Sequence, residues 1–257
     1  MRSVPYPGTQ AVLRAIALLR AFTDQRPEWG LAELARAVAL NKTTVYRLLT
    51  ALESEGMVVR IPKNDAYRLG PSAIVLGSVA LRSNDLRSAS RAELESLAQT
   101  TRETATLEVL SDGEVLVLDE VAGGHLLGVS SSIGTTWAVH ATSTGKMLMA
   151  HLPEADLEPM LQGTLTHFTD KTLTAPKELR QAFERIREQG FAVAVEELEE
   201  GFVDISAPVR NHDGRVVAVI GISGPVTRLT HARVPGVAAL LMEAAHRISQ
   251  RLGYTAR

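Results

Sequence analysis

Apolar positions recur at helical spacing from near the start of the chain. Val12, Ile16, Leu19 and Phe22, with Leu13 and Leu18 flanking, predict a helix over about 9–24, ended by the Asp-Gln-Arg-Pro stretch at 24–27. Leu31, Leu34 and Ala35 mark a second, short helix. A tight connection at 39–41 follows, with Asn41 placed to cap a third helix running to about residue 54, whose inward face is Val45, Leu48, Leu49 and Leu52 and whose stop is Gly56. Two β-prone runs, 57–61 and 66–69, flank a Pro-Lys-Asn-Asp turn and predict a hairpin. Helix, helix, turn, helix and hairpin is the layout of a winged helix-turn-helix.

The remainder alternates differently. An apolar helix is expected over about 71–82, and Ser83-Asn84-Asp85 offers a fresh cap for a helix over 86–101. Ala105, Leu107 and Val109 alternate with Thr104, Thr106 and Glu108, and Asp112-Gly113 turns the chain into the run 115–118. A strand is expected over 126–130, then a polar loop through Gly134 and a helix over about 143–151. A strong helix over 176–189 is followed by Gly190, and strands are expected at 191–195, 204–210 and 215–223 before a final helix over 231–252. The pattern is that of an α+β fold: an N-terminal winged helix-turn-helix over 1–70, a connector helix over 71–85, and a domain with a mainly antiparallel sheet over 86–257.

Charge changes this picture. The net charge is −2, yet residues 1–82 carry 11 Lys/Arg against 6 Asp/Glu, while the rest carries 16 against 23. A basic first third points to a polyanionic partner at that end. With no cysteine, disulfides, thiolate nucleophiles and cysteine-based zinc sites are excluded. No apolar run approaches the roughly 20 residues of a membrane span, and the first residues lack the apolar core of a signal peptide, so the cytoplasm is the expected address.

If Val45, Leu48, Leu49 and Leu52 face inward, then Lys42, Thr43, Thr44, Tyr46 and Arg47 face outward at the N-terminal end of the third helix. That end of a recognition helix enters the major groove, where hydroxyls reach base edges or phosphates and an arginine forks onto guanine. Lys63 at the hairpin tip and Arg68 on its return strand are placed as a wing on the flanking backbone, and Arg14 and Arg20 on the first helix add phosphate contacts.

Catalytic signals are weak. Ser143-Thr144-Gly145-Lys146 fits Ser-x-x-Lys, but no Ser-Asp-Asn or Lys-Thr-Gly partner occurs, and His140 and Met147 rule out a phosphate loop. A Ser143-dependent hydrolase with an accessory winged helix is the alternative reading. The helix start at Thr142 and Ser143 also suits a ligand carboxylate without chemistry. The seven histidines show no paired metal spacing, and the acidic run Glu196, Glu197, Glu199 and Glu200 reads as a solvated loop. No catalytic residue, metal or cofactor is expected.

Over nearly its whole length the chain resembles the IclR family of transcription regulators. The resemblance rests on Ala-Val-Leu-Arg-Ala-Ile at 11–16, the segment 31–60, His-Ala-Thr-Ser-Thr-Gly-Lys at 140–146, the segment 196–201, Ala-Pro-Val at 207–209 and Gly-Ile-Ser-Gly-Pro at 221–225. It implies a GAF-like effector-binding and oligomerisation domain behind the winged helix. It also implies homodimers, often paired as dimers of dimers, on double-stranded operator DNA, acting as repressor or activator under a small-molecule effector. Carried over by position, Gly134, Trp137, Ala138 and His140 belong to the pocket loop, and Ser223 matches a polar pocket serine. Asp204 falls where many members carry cysteine, Ala194 where aspartate is common, and Gly221 where some have a second serine. This altered set suggests a larger, partly aromatic or hydrogen-bond-donating ligand rather than a small oxo-acid.

Overall fold

In the computed structural model, which describes residues 9–23, 25–124 and 133–255, contacts separate the chain into two units, Met1–Ser83 and Asn84–Arg257. The first holds α1 (Gln10–Arg20), the two-residue strand β1 (Trp29–Gly30), α2 (Leu31–Ala37), α3 (Lys42–Ser54), the hairpin β2 (Val58–Ile61) and β3 (Ala66–Leu69), and α4 (Pro71–Arg82). Leu18, Phe22, Leu34, Val45, Leu49, Val58 and Tyr67 make its core. Ala39 takes a positive φ of 53°, which lets the chain double back between α2 and α3. The Asn41 side chain then accepts the Thr44 N–H at 2.8 Å and fixes the start of α3. Asn41→Ala should cost about 1 kcal/mol of stability, read as a lower urea midpoint with unchanged slope.

Two expectations need correction here. Helix α1 stops at Arg20, and the core covers only its C-terminal end, so Leu18 is buried while Val12, Leu13 and Ile16 are exposed. The hairpin gains a third strand, β1, which pairs antiparallel with β3 (Trp29↔Tyr67). Two residues carry no readable period. What holds β1 is the Trp29 indole, whose Nε1–H donates to the Ala21 carbonyl at 2.8 Å with the Arg26 guanidinium 3.5 Å above the ring. In α4 no residue is buried: Ile74, Val75, Leu76 and Val79 are all exposed, Ile74 by 72%.

The second unit contains α5 (Asp85–Thr101), β4 (Thr104–Ser111), β5 (Glu114–Val121), β6 (Thr136–Ala138), α6 (Ser143–Ala150), α7 (Glu154–Leu161) and α8 (Pro176–Gln189). Strands β7 (Ala192–Val195), β8 (Phe202–Arg210) and β9 (Val216–Pro225) and helix α9 (Val234–Arg251) complete it. Its six strands run in the order β6-β5-β4-β9-β8-β7, with every described pairing antiparallel. The alternation of each central strand splits the sheet into two unlike faces. Leu107, Ile205, Ile220 and Ile222 join Leu94 and Leu97 of α5 and Leu241 and Ile248 of α9 in one apolar layer. On the other face, Val115 and Val219 pack with Met147, Met149, Leu179 and Phe183 of α6 and α8.

The fold is thus α+β, with a winged helix-turn-helix followed by an antiparallel sheet domain, as the pattern predicts. The strand expected over 126–130 lies outside the described residues. Trp137 and Ala138, expected in a loop, lie instead on the edge strand β6, paired with Val115 and Glu114 of β5. Helix α7 was not foreseen: it is eight residues long, contains Pro159, and buries only Leu157 and Leu161, too few apolar points to show a period.

Candidate functional site

In the first unit, burial of Val45 and Leu49 turns the opposite face of α3 outward. Lys42, Thr43, Tyr46 and Arg47 are exposed and Thr44 is half-buried, so the face anticipated from the sequence is presented as one surface. Its hydroxyls and cations sit on a helix whose first turn is locked by the Asn41 cap. The wing is tied to this helix, since Glu53 of α3 accepts the Arg60 backbone N–H of β2 at 3.3 Å. Arg60 itself is paired with Asp65 across the hairpin, and that contact raises its pKa further. Lys63 and Arg68 on the wing and Arg14 on α1 are exposed.

In the second unit, the sheet register gathers polar residues on the face covered by α6. Thr104, Ser223 and Asp204 lie side by side across β4, β9 and β8, as do Thr106, Gly221 and Ser206 one step along. The N-terminus of α6 meets this patch. The Ser143 N–H donates to Asp204 Oδ2 at 3.0 Å, and the Ser223 hydroxyl donates to Asp204 Oδ1 at 3.1 Å. Glu108, 5% exposed, stands next on β4 with the buried hydroxyls of Thr106 and Thr144 turned to its carboxyl, while the Ser143 hydroxyl bears on Asp204 and the Ser206 hydroxyl is buried beside them. A methyl group on Gly221 would lie 3.1 Å from both the Thr106 hydroxyl and the Thr144 side chain, and 3.4 Å from Asp204. These groups therefore converge on one spot. Burial, then the neighbouring Asp204 charge, pushes the Glu108 carboxyl up to about 7. Burial also raises the pKa of Asp204, against the opposing hydrogen bonds from Ser143 and Ser223.

Of the ligand residues expected from the sequence, Asp204 and Ser223 are in direct contact. Gly134 (φ 95°), Trp137 and Ala138 lie on the β5–β6 side of the sheet, where Trp137 packs against the α6–α8 core. His140 is buried, bonded through Nε2 to the Thr166 carbonyl at 2.8 Å and tilted against Phe168. Sequence reading missed Thr106, Glu108, Thr144 and Ser206 as part of this patch. The signal was the repeated polar alternation on β4, β8 and β9, which shares a face only once the register is known.

Lys146, the lysine of the Ser-x-x-Lys match, is buried and paired: its ammonium donates to Glu197 Oε1 at 2.5 Å and to the Val193 carbonyl at 3.2 Å. It borders a hollow of about 400 Å³ lined also by Arg185, Gln189, Glu197 and His231. Among the described residues no trio of metal-ligating side chains is gathered, and no helix is long and apolar enough to cross a membrane.

Comparison with known proteins gives a consistent answer. Residues 11–62 match the IclR helix-turn-helix domain, and residues 78–250 match the bacterial transcriptional regulator IclR C-terminal domain. The chain is 34% identical over 251 residues to the HTH-type transcriptional regulator XynR of Escherichia coli, covering 97% of this chain and all of that protein. It is 30% identical to the transcriptional repressor IclR of the same organism, over 95% of this chain and 90% of the other. Among solved structures, an IclR-type regulator from a Silicibacter species superposes with a TM-score of 0.86 at 27% identity, covering 96% of this chain and 98% of that one. An IclR homologue from Microbacterium hydrocarbonoxydans, solved with 4-hydroxybenzoate, gives a TM-score of 0.81 at 28% identity, over 95% and 99% of the two chains. These relatives are regulators, and nothing in them supports a Ser143-dependent hydrolase.

Proposed function

The chain belongs to the IclR family of bacterial transcriptional regulators, and from that premise we propose that a small molecule held in the polar cluster of its second unit sets the affinity of its first unit for operator DNA. The division of labour follows the chain: 1–70 reads DNA, 71–85 connects, and 86–257 binds the effector and contributes to oligomerisation. Lys42, Thr43, Thr44, Tyr46 and Arg47 enter the major groove, and Arg14, Lys63 and Arg68 hold the flanking phosphates.

The observation that carries this reading is the exposed, polar and cationic first half of α3, locked by its cap and by Val45 and Leu49. The acceptor-poor face of Lys42 and Arg47 fits an anionic groove, and binding through it weakens as salt rises. A homodimer, and a dimer of dimers beyond it, is supported by the uncovered apolar residues of α4, which a second copy would bury. Two such heads read two half-sites. The effector shifts the population between head arrangements that fit the operator and those that do not, so its coupling to DNA is reciprocal. A site in the second unit is supported by the convergence of Asp204, Ser223, Glu108 and Thr106, and by the Microbacterium relative solved with a small aromatic acid.

Arg47→Ala tests the assignment. Loss of one guanine or phosphate fork should weaken operator binding by about 1–3 kcal/mol, roughly 5- to 150-fold, in a fluorescence anisotropy titration. Unchanged affinity in both Arg47→Ala and Thr44→Ala would remove α3 as the reading helix.

A further inference from the structure

A second place in the same unit combines open space with uncommitted polar groups. The hollow of about 400 Å³ lies between α6, α8, β7 and the start of α9, and it shares no lining residue with the polar cluster. Its size falls within the roughly 300–1,000 Å³ of small-molecule sites. Local sequence builds it. Gly190, at φ 81°, turns the chain from α8 into β7, and the Gln189 amide donates to the Phe191 carbonyl at 2.7 Å across that turn. Ile186 before the turn and Phe191 and Val193 after it thereby become walls, and Val234 of α9 completes them.

Charge selects what fits. Lys146 and Glu197 form a buried floor and offset one another. The ammonium carries three N–H donors, and its bonds to Glu197 and to the Val193 carbonyl use two of them. Of the arginines on α8, Arg180 is paired with Glu154 and Glu158, and Arg187 donates to the Ala150 carbonyl. Arg185 differs. It stands exposed at the rim of the hollow with His231, and neither makes a hydrogen bond or an ion pair among the described residues. Among those residues Glu197 is the one carboxylate on the lining, so Arg185 leaves the hollow with a positive balance. A carboxylate meets a guanidinium through two parallel hydrogen bonds. An apolar body behind it would cover the walls, which a compact anion would leave wet, while a neutral molecule would leave Arg185 unmatched.

We infer that this hollow is a second ligand site, separate from the polar cluster, and that it takes a monocarboxylate with an apolar body, a ring or a short alkyl chain. Arg185 holds the carboxylate at the rim, with His231 beside it, and Ile186, Phe191, Val193 and Val234 enclose the rest. Occupancy of the hollow does not require that the polar cluster hold an effector.

Calorimetric titration of the full-length protein with benzoate, hexanoate, acetate and hexanamide decides the matter. Benzoate or hexanoate should bind with Kd below about 1 mM. Acetate, which lacks the apolar body, and hexanamide, which lacks the charge, should each bind at least about tenfold more weakly. The acid that binds should lose about tenfold or more in Arg185→Ala, and as much in Val234→Trp, which puts a bulky ring into the hollow. Arg180→Ala removes a charge from the same helix outside the hollow and should change the affinity by less than about twofold. Arg185→Ala, an exposed substitution, decides alone should Val234→Trp fail to fold. Binding of neither acid overturns the inference, as does binding that Arg185→Ala leaves unchanged or that Arg180→Ala weakens equally.

Discussion

Lys146→Met is expected to lower the stability of the second unit by about 3–5 kcal/mol, since it removes one partner of a buried ion pair and leaves the other behind. Glu197 is 9% exposed, its Oε1 accepts from the Lys146 ammonium, and its Oε2 has no aligned partner. Burial already raises the Glu197 pKa against the pull of Lys146. Without the ammonium, the carboxylate must protonate or drag water into the space beside α8. The double variant Lys146→Met with Glu197→Leu should recover most of the loss, because two apolar groups of similar volume need no partners. Chemical denaturation of the three variants measures this as a coupling energy. A single variant as stable as wild type would mean that the pair contributes nothing. The buried pair gives the lysine of the Ser-x-x-Lys match a structural part to play in the second unit.

The second large effect is a pH dependence. Glu108 has a folded-state pKa of about 7 against an ordinary 4.5, so the native state holds its proton more tightly than the unfolded chain does. As pH rises from 4.5 to 7 the unfolded state loses this proton first, and stability falls by about 3 kcal/mol over that window before levelling off. Glu108→Gln lacks this titration. The stability of the variant relative to wild type should therefore rise by about 3 kcal/mol between pH 4.5 and pH 8, read from urea unfolding at both pH values. Carboxylates remote from Glu108 titrate in both proteins and cancel in the comparison; Asp204, coupled to Glu108, does not, so the difference reports the pair. The groups bearing on Glu108 are the hydroxyls of Thr106 and Thr144 and the carboxylates of Asp204 and Glu120. A difference that is flat with pH would place Glu108 in contact with water.

The parts legible in the sequence were those with a long period or a specific capping residue. Helix α3 was readable to within a residue because Asn41, Val45, Leu49 and Gly56 each carry an independent local signal. The hairpin and the central strands were readable from their alternation. Strand β1 was not, because its register comes from the Trp29 indole and from Tyr67 across the sheet, contacts far apart in sequence. Helix α1 shows why period alone misleads: Val12 and Ile16 fit the stripe, yet only the end bearing Leu18 meets the core.

The polar cluster illustrates the same limit. Asp204 and Ser223 could be singled out by position in a resembling family, and the structure places them in contact. Glu108 and Thr106 looked like the outer half of an ordinary alternating strand. Only the antiparallel register of β4 on β9, with α6 lying over that face, turns the outer half inward. His140 shows the converse, since a conspicuous side chain in a ligand-bearing segment is bonded to the Thr166 carbonyl.

Regulation by this chain requires that duplex DNA be held by the cationic face of α3. Full-length protein titrated by fluorescence anisotropy against fragments from upstream of its own gene, at about 50 and 200 mM salt, tests this most directly. Saturable binding to one fragment is predicted, tighter than to random duplex of equal length, steeply weakened by salt and lost in large part with Arg47→Ala. If the protein binds every duplex equally weakly at the lower salt, the proposed reading surface is contradicted.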